Sequence, residues 1–285
     1  MYAPERAFAE KFEQTEAPLT PKEEVVYEKY VPRWRAAEPK PEDFKGVYND
    51  IEIQNDKKFV AERKGVEKDK HERAQLFEAL LFHALDQEEW LGERAYVARA
   101  SEFDDRVNGT DLVVEFLGRD GQVRRLAVDV TVTANIDTIR TKVQNIKQNL
   151  EAGRLVNLKY FESEIPDETK AVRGSVHDLP RVIVGVDPNT LKELARSFTE
   201  HAAEDHPLQR ELLEEIRLQL EEELAAVEQL VPKDRQELVR QKLLEVIEEV
   251  RAIETKKEKV PPLGARRDRT MHLLSDRLRE VWPGN

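Results

Sequence analysis

Apolar positions along this chain change period several times, and each change marks an element. From about 70 to 91, "KHERAQLFEALLFHALDQEEWL" carries apolar residues most of the way round a 3.6-residue period, which predicts a largely buried helix. Three short segments with strand periodicity follow: "AYVARASEF", "TDLVVEF" and "RLAVDVTVT". "IDTIRTKVQNIKQNLEAG" returns to helical spacing and stops at Gly153, a residue suited to a left-handed cap. Residues 154–179 read as a loop. "PRVIVGVD" is a continuous apolar run of the kind found in a strand covered on both faces. "PNTLKELARSFTEHA" opens a further helix with Pro188 and Asn189 at its start. Residues 207–254 predict two long amphipathic helices broken at "LVPKDRQ", where Pro232 and Asp234 suit a first turn.

Before residue 69 the pattern weakens. This stretch is rich in Pro, Glu and Lys with scattered aromatics (Tyr27, Tyr30, Trp34, Phe44, Tyr48), and "EPKPEDF" cannot lie inside a regular helix. It reads as an extended, partly disordered arm with short helices that docks on the rest. The expected organisation is therefore an arm (1–68), an α/β core with a central mixed sheet flanked by helices (69–203), an acidic helical hairpin (204–255) and a basic tail (256–285).

Alternation within the second and third strands raises a chemical question. Leu112, Val114 and Phe116 share one face of the first, and Leu126, Val128, Val130 and Val132 one face of the second. Making those faces coincide requires an odd loop, with Gly121 left-handed in a three-residue turn. The pairing expected is Leu112 with Val130, Val114 with Val128 and Phe116 with Leu126. Asp111 and Asp129 then become diagonal neighbours on the other face, roughly 7–8 Å apart at Cα. Two carboxylates so placed repel unless a cation lies between them, and oxygen ligands suit Mg²⁺, Mn²⁺ or Ca²⁺. The plainer alternative is that Asp111 caps a turn while Asp129 pairs with Arg124, Arg140 or Lys142. Glu78 falls between Leu81, Phe82 and Leu85 on its helix, where a charge is costly without a partner.

The order of elements (helix with Glu78, strand, strand opened by Asp111, strand with Asp129-Val130-Thr131, helix, strand) resembles the PD-(D/E)xK nuclease superfamily over residues 70–200. The resemblance implies a restriction-endonuclease-like core in which Asp111 is the first motif acid, Asp129 the second, and Glu78 the acid of the preceding helix. It implies Mg²⁺ or Mn²⁺ held by Asp111, Asp129 and the Val130 carbonyl, and hydrolysis of a phosphodiester in DNA or another nucleic acid. The sequence departs from the motif at Thr131, where the family has a lysine that orients or activates water. The next helix offers substitutes in Arg140, Lys142 and Lys147, of which Lys142 is best placed. Gln144 is a further hydrogen-bonding candidate on it.

Charge qualifies this expectation. Charged residues make up 36% of the 285 positions, and the formal charge is −12. That is a poor balance for a binder held by phosphate contacts alone, so basic residues must be concentrated locally. From Arg124 to Lys159 there are seven Lys and Arg against three acids, which makes Arg124, Arg125, Arg140 and Lys147 candidate nucleic-acid contacts. The basic tail is the other such place. Residues 207–254 carry thirteen acids against seven bases and present a negative outer face. A second class of function follows, that of a non-cutting scaffold working through this hairpin, either as a protein-interaction module or as a nucleic-acid binder. The absence of cysteine excludes disulfides and thiolate metal sites. No phosphate-binding glycine loop and no H-E-x-x-H occurs. With no membrane-length apolar run and no apolar leader, a soluble cytoplasmic protein is expected.

Overall fold

The computed structural model describes residues 18–64, 72–133 and 135–260, together with 268, 270, 271, 273, 274, 276 and 280. It is a mixed α/β structure built on a four-stranded sheet. The strands β1 (Ala95–Arg99), β2 (Leu112–Leu117), β3 (Val123–Val132) and β6 (Arg181–Val186) lie side by side in that order. β1, β2 and β3 are antiparallel neighbours, whereas β6 runs parallel to β3. A separate antiparallel pair, β4 (Val156–Glu162) and β5 (Arg173–Leu179), occupies the segment read as a loop. Its alternation was masked by the charged and polar residues on its exposed face.

The helices are α1 (Pro21–Ala36), α2 (Asp50–Lys64), α3 (Glu72–Asp86), α4 (Glu102–Asn108), α5 (Ile136–Glu151), α6 (Pro188–Thr199), α7 (Leu208–Leu230) and α8 (Lys233–Lys257). The arm is thus more helical than expected. Thr20 starts α1 with a capping box, its side chain accepting from the Glu23 N–H while Glu23 accepts from the Thr20 N–H. "EPKPEDF" holds a single 3₁₀ turn, Pro41–Phe44. Residues 1–17 and most of 261–285 lie outside the described residues. The short α4, capped by Ser101, was not foreseen in "RASEFDD".

One apolar cluster runs from Val26 of α1 through α3, the sheet, α5 and α6 to α7, α8 and Leu274. A smaller one on the other sheet face joins Ala98, Val113 and Ala127 to the β4–β5 pair. All six residues of β6 are buried, as the unbroken apolar run requires. Its outer edge is closed by Gln219 of α7, whose amide accepts from the Ile183 N–H (2.8 Å) and donates to its carbonyl (2.7 Å). No described helix is long and apolar enough to cross a membrane.

The β2–β3 hairpin corrects the expected register. Leu112 pairs with Val128, Val114 with Leu126 and Phe116 with Arg124, two residues off the prediction. The apolar faces still coincide and the loop is still odd. Arg119–Gly121 form the turn, closed by the Gly118 N–H on the Gln122 carbonyl (2.9 Å), with Gly121 at φ +79°. The turn is centred one residue earlier than expected because Asp120 organises it, accepting from the Gln122 N–H (3.0 Å) and pairing with Arg124.

Gly153 ends α5 as predicted. Its φ is +65°, its N–H bonds to Leu150 and the Arg154 N–H to Asn149, the two closures of a Schellman motif. A Cβ there would also sit 3.0 Å from Arg235 Cγ. Gly153→Ala is therefore expected to cost about 1–2 kcal/mol in urea unfolding; an unchanged midpoint would mean that the cap is not strained.

Candidate active site

Asp111 sits one step before β2, where the ladder to β3 becomes irregular. Its N–H bonds to the Val128 carbonyl (2.9 Å), and its carboxylate accepts from the Val130 N–H (2.7 Å). It thereby brackets residue 129 and lies across from Asp129, closer than the diagonal placement predicted. The N–H and C=O of a strand residue face the same neighbour, so the Val130 carbonyl shares this side. Both acids are largely buried.

Lys142 reaches back from the second turn of α5 and forms an ion pair with Asp129. Asn135 caps that helix, its side chain accepting from the Asp137 N–H (2.9 Å), which fixes the direction from which Lys142 approaches. Burial pushes the Asp129 carboxyl above its usual range, with the Asp111 charge adding to the rise and Lys142 opposing it. Burial works against the Lys142 ammonium too, yet Asp129 and Asp111 outweigh it and hold the lysine above its ordinary value. Lys142 and Arg181 both offset the negative charge gathered around Asp129. Of the two plain alternatives, the pairing of Asp129 with Lys142 is realised alongside the approach of the two acids.

These residues line a cleft of about 1080 Å³. Glu78 of α3 lines it as well and is buried, as its position among leucines implied. Arg99, at the end of β1, feels the charges of both Glu78 and Asp111. Its guanidinium lies 3.6 Å from the ring centre of Trp34 and pairs with Glu38 (2.9 Å). Arg181, the first residue of β6, reaches the Asn108 carbonyl and stands close to Asp129. From α5, Asn145 and Asn149 face the cleft at i+3 and i+7 from Lys142; Gln144 is not among the lining residues.

The remaining candidates lie elsewhere. Thr131 does not line the cleft; its methyl packs where a Cβ on Gly185 would sit, 2.9 Å away, beside Thr270. Arg124 pairs with Asp120 and Glu249, Arg125 with Glu115, Arg140 with Asp137 and Lys147 with Glu151. The structure brings none of these four to the cleft wall. Basic residues at the cleft come instead from Arg35, Lys40, Arg99, Arg106, Arg154 and Arg181. Only helical spacing from Lys142 could have revealed Asn145 and Asn149. Nothing local marks Arg99, Arg181 or Glu223, which strand pairing and helix docking bring in from distant segments.

The donor set can be tested against the cation that the resemblance implies. Among the described residues no three His, Cys, Asp or Glu side chains come close enough to hold a metal ion. Two carboxylates and a backbone carbonyl do suit Mg²⁺, which keeps several waters and is commonly held by one or two carboxylates plus substrate phosphate. No family model, curated protein or solved structure matches this chain.

Proposed function

We propose that the chain is a metal-dependent nuclease of the PD-(D/E)xK type, hydrolysing phosphodiesters in DNA or another nucleic acid with Mg²⁺ or Mn²⁺. One observation carries the reading: Asp111, Asp129 and Lys142, from three separate elements, meet on one wall of a cleft also lined by Glu78 and several arginines. The succession α3, β1, β2, β3, α5, β6, with order β1-β2-β3-β6 in the sheet, supports a restriction-endonuclease-like core.

In this reading Asp111, Asp129 and the Val130 carbonyl hold the cation. When bound, it supplies Lewis-acid polarisation of the phosphate and a water of lowered pKa. Lys142 provides the positive charge that Thr131 lacks, arriving from α5 rather than from β3, and stabilises charge developing on the phosphate. The Val130 N–H orients Asp111, and Arg99 offsets the charge of Glu78.

The test is cleavage of single- and double-stranded DNA and RNA with Mg²⁺ or Mn²⁺. Asp129→Asn is expected to lower the rate by about 100-fold or more. Equal cleavage by wild type and variant would trace the activity to a contaminant, and no cleavage of any substrate would remove the enzyme.

A second reading, a scaffold that binds without cutting, is favoured by the Lys142–Asp129 ion pair and by the burial of Thr131 away from the cleft. Its proposed working surface, the α7–α8 hairpin, packs its apolar side into the main cluster and joins its two helices through Arg217–Glu254 and Arg251–Glu221 pairs. Nucleic-acid binding in EDTA with no turnover in either metal favours this second reading.

A further inference from the structure

Glu223 belongs to α7, a helix whose acids read as a solvated outer face. It is 1% exposed, it lines the cleft, and its Oε1 is buried without a hydrogen-bond partner. Arg181 lines the cleft too and is 8% exposed. The Asn108 carbonyl takes one bond from its guanidinium, so the fork is fixed while other N–H groups remain to be used. A Cβ on Gly109 would lie 3.4 Å from Arg181 Nη1 and 3.6 Å from Asp129 Oδ2, so the guanidinium borders the acid site.

Arg181 of β6, Asp129 of β3, Lys142 of α5, Asp111, and Asp105 and Arg106 of α4 are among the charged residues that line the cleft with Glu223; no described residue of α8 lines it. Burial pushes the Glu223 carboxyl up to about 8, with Arg181 offsetting only part of the rise. At neutral pH the group is then an acid with an O–H to donate. A neutral carboxyl beside a guanidinium is a poor ligand for a cation and a good one for an anionic oxygen.

We propose that Arg181 and Glu223 form an oxyanion site at the edge of the cleft, which takes a phosphate group through the guanidinium N–H groups and the carboxyl O–H. That the phosphate belongs to a nucleic-acid backbone rests on the nuclease reading; anion binding itself needs neither metal nor cleavage.

Calorimetry on the full chain in EDTA tests this, with inorganic phosphate and a short oligodeoxynucleotide as probes, at pH 6.5 and pH 9. Wild type is expected to bind at pH 6.5 and to weaken about tenfold or more at pH 9, where the O–H is lost. Glu223→Gln keeps a donor at both pH values, so its affinity should change less than about threefold between them. Glu223→Ala should bind about tenfold more weakly than wild type at pH 6.5. Circular dichroism establishes that each variant is folded.

Absence of binding of either probe by folded wild type, or a parallel fall in wild type and Glu223→Gln between the two pH values, overturns the site. So does loss of Mg²⁺ binding in Glu223→Gln, titrated separately without EDTA, with phosphate binding intact, which would make Glu223 a metal ligand. Binding of phosphate without the oligonucleotide overturns the backbone assignment. Failure of this proposal and of the nuclease reading remain distinct. Metal-dependent cleavage by a wild type that binds neither probe in EDTA sinks the oxyanion site alone. Glu223-dependent oligonucleotide binding in EDTA supports the site even where no cleavage follows.

Discussion

Lys142→Met is expected to destabilise the fold by about 2–4 kcal/mol at pH 7 and to abolish any phosphodiesterase activity. Methionine keeps the stem and removes the charge. Asp129 would then be left in the cleft wall, 4% exposed, across from Asp111 and without its ammonium. Breaking a buried pair by deleting one partner costs roughly 3–5 kcal/mol, and the lower range adopted here reflects the 26% exposure of the lysine side chain. The penalty should depend on pH with a defined sign. Removing Lys142 raises the Asp129 carboxyl further above its usual value, so the variant folds with Asp129 protonated over a wider range. The gap between wild type and variant should therefore narrow as pH falls through the Asp129 titration and be widest above it. Urea unfolding at a series of pH values between 4 and 8 measures this. A gap under about 0.5 kcal/mol at pH 7 would place the pair among surface ion pairs of negligible worth.

The parts of this arrangement that could be read from sequence were those governed by local periodicity. The run "RVIVGV" had to be a covered strand, and Gly153 had to end α5, because one residue or one short pattern decided each. Coincidence of the apolar faces in the hairpin also followed from alternation alone. Its register did not. Two odd turns satisfied the same faces, and the choice between them lay with the Asp120 side chain, which competes for backbone N–H groups inside the loop. That two-residue difference moved Asp111 from diagonal to across from Asp129.

The β4–β5 pair was missed for a related reason. Exposed strand faces carry polar residues, so "NLKYFE" and "RGSVHDL" resemble loop composition. Cleft residues such as Arg99 and Arg181 were illegible for a different cause. They sit at strand ends that come together only when β1 and β6 take their places in the sheet. The basic residues chosen by density along the chain, Arg124 and Arg125, are consumed by local pairs with Asp120 and Glu115. Charge density in sequence and charge at a cleft are separate quantities, and here the fold draws the second from scattered single arginines.

Glu223→Gln is expected to raise stability, by about 5 kcal/mol at pH 9 and by almost nothing at pH 4.5. In the folded chain the Glu223 carboxyl titrates at about 8, against an ordinary value of 4.5 once unfolding exposes it. Between those values the folded state holds a proton that the unfolded state has released. The stabilisation of the protonated form is complete below 4.5 and is lost as pH rises through 8. At about 1.4 kcal/mol for each pH unit of difference, the accumulated loss is close to the figure given. Glutamine fills nearly the same volume and does not titrate, so the variant lacks this slope. Other buried acids, Asp104, Asp129 and Asp268 among them, are raised by burial and tilt stability the same way, but they are common to both proteins and cancel in the difference. The difference in unfolding free energy should therefore climb between pH 5 and 8 and then level. A difference that stays flat across that range would mean that Glu223 is ionised in the folded chain, and the carboxyl donor assigned to the oxyanion site would go with it.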